Sequence, residues 1–137
     1  MSQPRVLVID DEPRILDIVR YFLEQGGYAV DTTPRQSEGL ATARRDTFDV
    51  FVLDIVLEGG SGYDVAYELK QIPAANRVPV LFMSSKVEMA DLFLESYDGR
   101  AEFILKPFKK KELLDKISLL VGGGGREAHR APPRQTR

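Results

Sequence analysis

Two adjacent acids, Asp10 and Asp11, follow directly on the aliphatic run Val6 to Ile9 in the stretch VLVIDDEP. At an effective dielectric of 20, two unit charges about 4 Å apart repel by roughly 4 kcal/mol, so the pair calls for a cation. Other apolar runs also end on polar groups: Asp54 after DVFVL, Ser84 and Ser85 after VPVLFM, and Lys106 after EFIL. Carboxylates without a nitrogen or sulfur donor are hard oxygen ligands that suit Mg2+, an ion that keeps several waters and shares its shell with a substrate phosphate. A carboxylate beside such a phosphate donor can itself be the nucleophile and form an acyl phosphate. An aspartate in that role needs no general base, since an ordinary carboxylate is ionised at neutral pH. Lys106 would then neutralise one phosphoryl oxygen and Ser84 would hydrogen-bond another, the positioning and electrostatics that phosphoryl transfer requires.

Each residue also has a plainer reading. Asp10, Asp11 or Glu12 could cap a helix, Asp54 could be a turn residue, Ser84 could cap the helix after it, and Lys106 could be a surface charge. Capping explains acids before helices. It does not explain an ammonium and a third acid at equivalent places further along the chain.

Those equivalent places depend on the elements that carry them. Five short apolar runs recur, RVLVI (5 to 9), YAVDT (28 to 32), DVFVL (49 to 53), VPVLFM (78 to 83) and EFIL (102 to 105). Three are nearly continuous rather than alternating, as strands buried on both faces are. Segments with helical spacing separate them. Ile15, Ile18, Val19, Phe22 and Leu23 follow Pro13 and stop at Gly26-Gly27. Leu40, Ala41 and Ala43 mark a weaker second helix. Val65, Ala66, Leu69 and Ile72 run from Gly62 to Pro73; Met89, Leu92, Phe93 and Tyr97 precede Gly99; Leu113, Leu114, Ile117, Leu120 and Val121 form the last stripe. Strand alternating with helix five times predicts an α/β, doubly wound parallel sheet with helices on both faces. Ligands of such sheets gather beyond the carboxyl ends of the strands, where all the residues named above stand.

Bulk properties narrow the chemistry further. The chain has 137 residues, 43% hydrophobic and 29% charged, which fits one globular domain. It contains no cysteine, and its one histidine, His129, lies in the C-terminal segment read as unstructured, which rules out thiolate chemistry and removes most metalloenzyme and triad chemistry. No apolar run approaches a membrane span and the N-terminus lacks a signal-peptide pattern, so a cytoplasmic, soluble protein is expected. The net charge is −2; the segment after Val121 holds four arginines against Glu127, +3, which leaves −5 for residues 1 to 121. An acidic body argues against nucleic acid as the ligand of the folded part. Residues 122–137, GGGGREAHRAPPRQTR, read as a disordered, basic tail or linker after a domain spanning 1–121.

With VLVIDDEP, VLDIVLEGGSGYDV, PVLFMSS and FILKPF in this order and at these separations, the chain from about Pro4 to Val121 resembles a receiver domain of the two-component response regulator family. The resemblance implies a flavodoxin-like, CheY-like five-stranded sheet of strand order 2-1-3-4-5. It implies that Asp54 accepts a phosphoryl group from a sensor histidine kinase or phosphotransfer protein, and that Asp10, Asp11, Asp54 and the backbone carbonyl of Val56 hold Mg2+. Lys106 would contact the acyl phosphate, and the Lys106–Pro107 bond would be cis. On phosphorylation Ser84 would swing toward the phosphate and Phe103 would turn inward. That reshapes the face made by the fourth helix, fifth strand and fifth helix for a downstream protein, with a phosphorylation-dependent homodimer as one outcome. Without the family, Phe103 reads as core packing. Leu94, off the fourth stripe, is a second candidate for partner contact.

Some positions depart from the family pattern. Glu58 stands for a frequent proline, Ser61 for a frequent acid and Arg100 for a small residue. Val56 and Lys86, two positions after Asp54 and Ser84, are where the family tunes the access of hydrolytic water. The chain would thus catalyse its own phosphorylation and slow dephosphorylation without turning over a separate substrate. A receiver within a longer regulator and a pseudo-receiver that takes no phosphate are the alternatives. A Mg2+-dependent aspartyl phosphatase would want a second acid where Val56 stands.

Overall fold

The structure, a computed structural model, describes residues 3–57, 59–86, 97, 99–123 and 126–127. In chain order the elements are β1 (Arg5–Ile9), α1 (Pro13–Gln25), β2 (Ala29–Thr33), α2 (Gln36–Arg45), β3 (Val50–Asp54), β4 (Val56–Leu57), β5 (Gly60–Ser61), α3 (Gly62–Leu69), β6 (Val80–Ser84), β7 (Arg100–Leu105), α4 (Lys110–Val121) and β8 (Arg126–Glu127). Strands β2, β1, β3, β6 and β7 lie side by side in that order, all parallel. This is the doubly wound order 2-1-3-4-5 read over the five principal strands.

Near-continuous apolar strands follow from burial on both faces. Leu7, Ile9, Phe51, Leu53 and Phe82 point into one core with Ala43 of α2 and Val65, Ala66 and Leu69 of α3. Val6, Val8, Val50, Val52, Leu81 and Met83 point into the other with Leu16, Val19 and Leu23 of α1 and Leu113, Ile117 and Leu120 of α4. Every residue of β3 and β6 is buried. Helix α1 starts with Pro13 in its first turn and ends at Gly26, whose N–H donates to the carbonyls of Phe22 and Leu23. Its buried face is Leu16, Val19 and Leu23, and Ile18, expected in the core stripe, is 46% exposed. Ile18 sits about 100° round the helix from Val19, just past the edge of the buried arc.

Two further features lie outside the sequence reading. The loop after β3 forms a short antiparallel pair, with Val56 opposite Ser61 and Leu57 opposite Gly60. Strand β8 pairs antiparallel with β7, Arg100 opposite Glu127 and Ala101 opposite Arg126, so two residues of the expected tail extend the sheet. Edge pairing engages backbone N–H and C=O groups and needs no apolar pattern, which is why composition did not reveal it. The expectations for Glu58, for the Met89, Leu92 and Phe93 stripe, for Leu94 and for His129 fall outside the described residues. Among the described residues no helix is long and apolar enough to cross a membrane.

Candidate functional site

Strand register brings the chemistry together. Ile9 pairs with Leu53, so Asp10 and Asp54 each stand one position beyond that rung on neighbouring strands. Asp54 in turn pairs with Met83, one residue before Ser84. Ser84 pairs with Leu105, one residue before Lys106, and the Lys106 N–H donates to the Ser84 carbonyl at 2.8 Å. The strands therefore end together, and Asp54, Ser84 and Lys106 at those ends line one crevice of about 490 Å³ that Asp11, Val56 and Lys86 also line.

Carboxylate oxygens of Asp10, Asp11 and Asp54 lie within 4.8 Å of one another. Lys106 Nζ stands 3.0 Å from Asp10 Oδ2, 3.0 Å from Asp54 Oδ2 and 4.0 Å from Glu12 Oε1. Asp10 Oδ1 accepts the Glu12 N–H at 2.9 Å, and Asp54 Oδ1 accepts the Val56 N–H at 3.2 Å. Glu12 occupies the N-cap position of α1 without a side-chain capping bond, so the capping reading does not account for it. Asp10 is fully buried and Asp54 nearly so. Burial pushes the Asp10 carboxyl above the ordinary carboxylate range, and the charge of Asp54 adds to that; the Glu12 N–H and Lys106 offset only part. Burial would lower the Lys106 ammonium, but its hydrogen bonds and attraction to Asp10 and Asp54 outweigh this and hold it above the usual lysine value.

Three carboxylates face one ammonium, a local excess of two negative charges. Repulsion between carboxylates at this spacing is about 3 kcal/mol per pair at an effective dielectric of 20. A divalent cation cancels that excess, and an all-oxygen set beside an open crevice fits a hard ion that retains water. The donor chemistry thus fits a divalent metal.

The remaining predicted residues surround this centre. Ser84 is 1% exposed, and its Oγ accepts the Lys86 N–H at 3.0 Å, which leaves the hydroxyl hydrogen to be donated. Val56 is 60% exposed and Lys86 is exposed, both at the crevice mouth. The apolar Val56 stands where an aspartyl phosphatase would need its second acid. The Lys106–Pro107 bond is cis. Phe103, three residues before Lys106, is paired in register with Phe82 and packs partly buried against the core under α2 and α3.

Two supports escaped the sequence reading. A Cβ on Gly62 would come 2.2 Å from the Asp54 carbonyl oxygen, so only glycine lets α3 begin against the residue that supplies the third carboxylate. Ser61 caps that helix, its Oγ accepting the Asp64 N–H at 3.1 Å. The Ser61-Gly62 step before an amphipathic run is the available signal, but Gly62 reads there only as the start of the run and Ser61 only as a departure from the family pattern.

A family model described as the response regulator receiver domain matches residues 6–118. The transcriptional regulatory protein ResD of Bacillus subtilis is 28% identical over 120 residues, covering 88% of this chain and 49% of the relative. The response regulator SaeR of Staphylococcus aureus is 31% identical over 116 residues, covering 85% of this chain and 50% of the relative. The chain thus spans about half the length of the curated relatives it matches. Among solved structures, the response regulator TrrA of Thermotoga maritima in complex with Mg(2+)-BeF is 28% identical with a TM-score of 0.74, covering 86% of this chain and 99% of that one.

Proposed function

The chain belongs to the response regulator receiver domain family, and we propose that it runs that family's phosphoryl transfer with Asp54 as the acceptor. An Asp54 oxygen attacks phosphorus in a donor phosphohistidine; the P–O bond forms as the P–N bond breaks, and the electron pair leaves with the imidazole of a histidine kinase or phosphotransfer protein. Asp10, Asp11, Asp54 and the Val56 carbonyl would hold Mg2+, which supplies charge neutralisation for the incoming phosphoryl oxygens. Lys106 gives up its contact with Asp54 to pair with a phosphoryl oxygen, and Ser84 donates its hydroxyl hydrogen to another. The observation that carries this reading is Lys106 Nζ at 3.0 Å from both Asp10 and Asp54, inside a cluster of three carboxylates.

Residues 1–121 act as the receiver in this reading, with 122–137 as an appendage. Phosphorylation draws Ser84 toward the site and turns Phe103 inward, changing the surface around β7 and α4 that a protein partner or a second copy reads. The half-length match to curated relatives favours a second form of output, an effector domain joined to this one in a longer regulator. The protein modifies itself rather than turning over a separate substrate. Incubation with Mg2+ and a small phosphodonor should add one phosphate by mass, absent from Asp54→Asn. A mutant that still gains the phosphate, or multiple turnover of a phosphoester, defeats the reading.

A further inference from the structure

A second concavity of about 390 Å³ opens at the other end of the sheet, where β6 and β7 begin. Lys70, Asn76, Arg77, Tyr97, Gly99 and Arg100 line it. Strand β6 runs five residues between the two places, which at about 3.3 Å per residue separates them by roughly 17 Å. We propose that this cavity binds a small phosphate-bearing anion through Lys70, Arg77 and Arg100, independently of the acidic crevice.

The cations come from three separate segments, the end of α3, the approach to β6 and the start of β7, on a body whose net charge is negative. Among the described lining residues there is no carboxylate, and among the described residues neither Lys70 nor Arg77 forms an ion pair. Arg100 is held in place, its guanidinium donating to the Leu120 carbonyl at 3.0 Å where α4 ends. Lys70 Nζ lies 5.6 Å from the centre of the Tyr97 ring. That ring is fixed in turn, 4% exposed and edge-on to Phe82 at 5.5 Å. Lys70 is therefore partly ordered before any ligand arrives, which lowers the cost of fixing it, while Arg100 is anchored toward α4 and adds positive charge at the edge of the cavity.

Space is kept open as well. Gly99 has φ +151, and a Cβ there would come 3.0 Å from the Tyr97 ring and 3.2 Å from Lys70 Nζ. Guanidinium groups match phosphate oxygens in pairs, and an ammonium adds a point charge. The volume is in the range of small-molecule sites and exceeds what a single phosphate fills, which favours a diphosphate or nucleotide-like ligand. Isolated surface lysines and arginines would point apart into solvent. Here they line one concavity.

Calorimetric titration of sodium pyrophosphate into the full chain, in Mg2+-free buffer, tests this. One saturable site is expected, weakened about ten-fold (roughly 1.4 kcal/mol) by either Lys70→Gln or Arg77→Gln, and unchanged in Asp54→Asn. Melting curves of the two glutamine variants confirm that they remain folded, since Arg77 is exposed and Lys70 partly so. Absence of saturable heat overturns the proposal, as does affinity unmoved by both substitutions. More than one equivalent bound marks diffuse surface attraction, and tighter binding of a single-stranded oligonucleotide through the same residues marks a polyanion surface; either also overturns it. A change of affinity in Asp54→Asn, in either direction, would place the anion in the acidic crevice instead and overturn the proposal.

Discussion

Lys106 Nζ lies 3.0 Å from Asp54 Oδ2 although 52 positions separate the two residues, and it touches Asp10 at the same distance. The ammonium therefore offsets part of the carboxylate charge that a divalent metal would otherwise have to balance. Replacing Lys106 with Met leaves buried carboxylates unpaired, and removing one partner of such a set costs about 3 kcal/mol or more. Chemical denaturation in EDTA should show that loss, and added Mg2+ should recover part of it. The raised Lys106 pKa contributes stability that is fully present below 10.5 and disappears as pH climbs through the folded-state value, so the wild type should lose its advantage over Lys106→Met in strong alkali.

Asp10 gives the opposite sign. Its folded-state pKa is raised, so its contribution is favourable below 3.8, the ordinary carboxylate value, and is lost as pH rises through the folded value. At neutral pH its burial is a liability in the metal-free protein. Asp10→Asn keeps an acceptor for the Glu12 N–H and removes the charge. In EDTA its melting temperature should exceed that of the wild type at pH 7, and the gap should close as pH falls toward 3.8. A gap that widens on acidification would contradict this assignment.

Mg2+ itself should raise stability by about 2.7 kcal/mol at 100 times its dissociation constant, a shift of several degrees in a thermal melt. Asp10→Asn and Asp11→Asn should each lose most of that increment. An equal rise in all three proteins would mean that the ion binds elsewhere.

Gly62→Ala must move the backbone of Asp54 or of α3, because the methyl would meet a carbonyl oxygen at 2.2 Å rather than a side chain that can rotate away. A loss of about 1 to 3 kcal/mol is expected, as for other overpacked sites. Phosphate uptake from a small donor should slow in the same variant. Gly27, where a Cβ meets nothing within 4 Å but φ is +96, serves as a control that strains the chain without touching the crevice.

Val56 and Lys86 both line the crevice, and under the proposed function they would flank the route by which water reaches a phosphorylated Asp54. An apolar side chain offers that water no hydrogen bond. Val56→Asn supplies one, worth about 1 kcal/mol, and should speed loss of the phosphate about five-fold in a mass-spectrometric time course. An unchanged or longer lifetime would show that the side chain at this position does not control access.

Much of this arrangement was legible in the residues. Strands buried on both faces have few polar positions to spare, so their ends stand out, and Asp10, Asp54, Ser84 and Lys106 were found by that contrast. Ile18 was misplaced because its spacing fits the core stripe as well as Leu16 does, and only packing against β2 and α4 decides between them. The β4–β5 pair and β8 were missed because two-residue ladders are made by backbone groups, which leave no pattern of side chains. Gly62 illustrates a third limit: a glycine demanded by a neighbouring carbonyl reads, in isolation, like one demanded by a turn.

Because each reactive group sits one step past the last rung that one pair of neighbouring strands shares, strand alignment and chemistry are a single property. A one-residue slip of β3 against β1 would carry Asp54 about 3.3 Å along the sheet and turn it to the opposite face. A misaligned chain would thus be chemically silent as well as poorly packed, and binding of a divalent metal would report correct alignment.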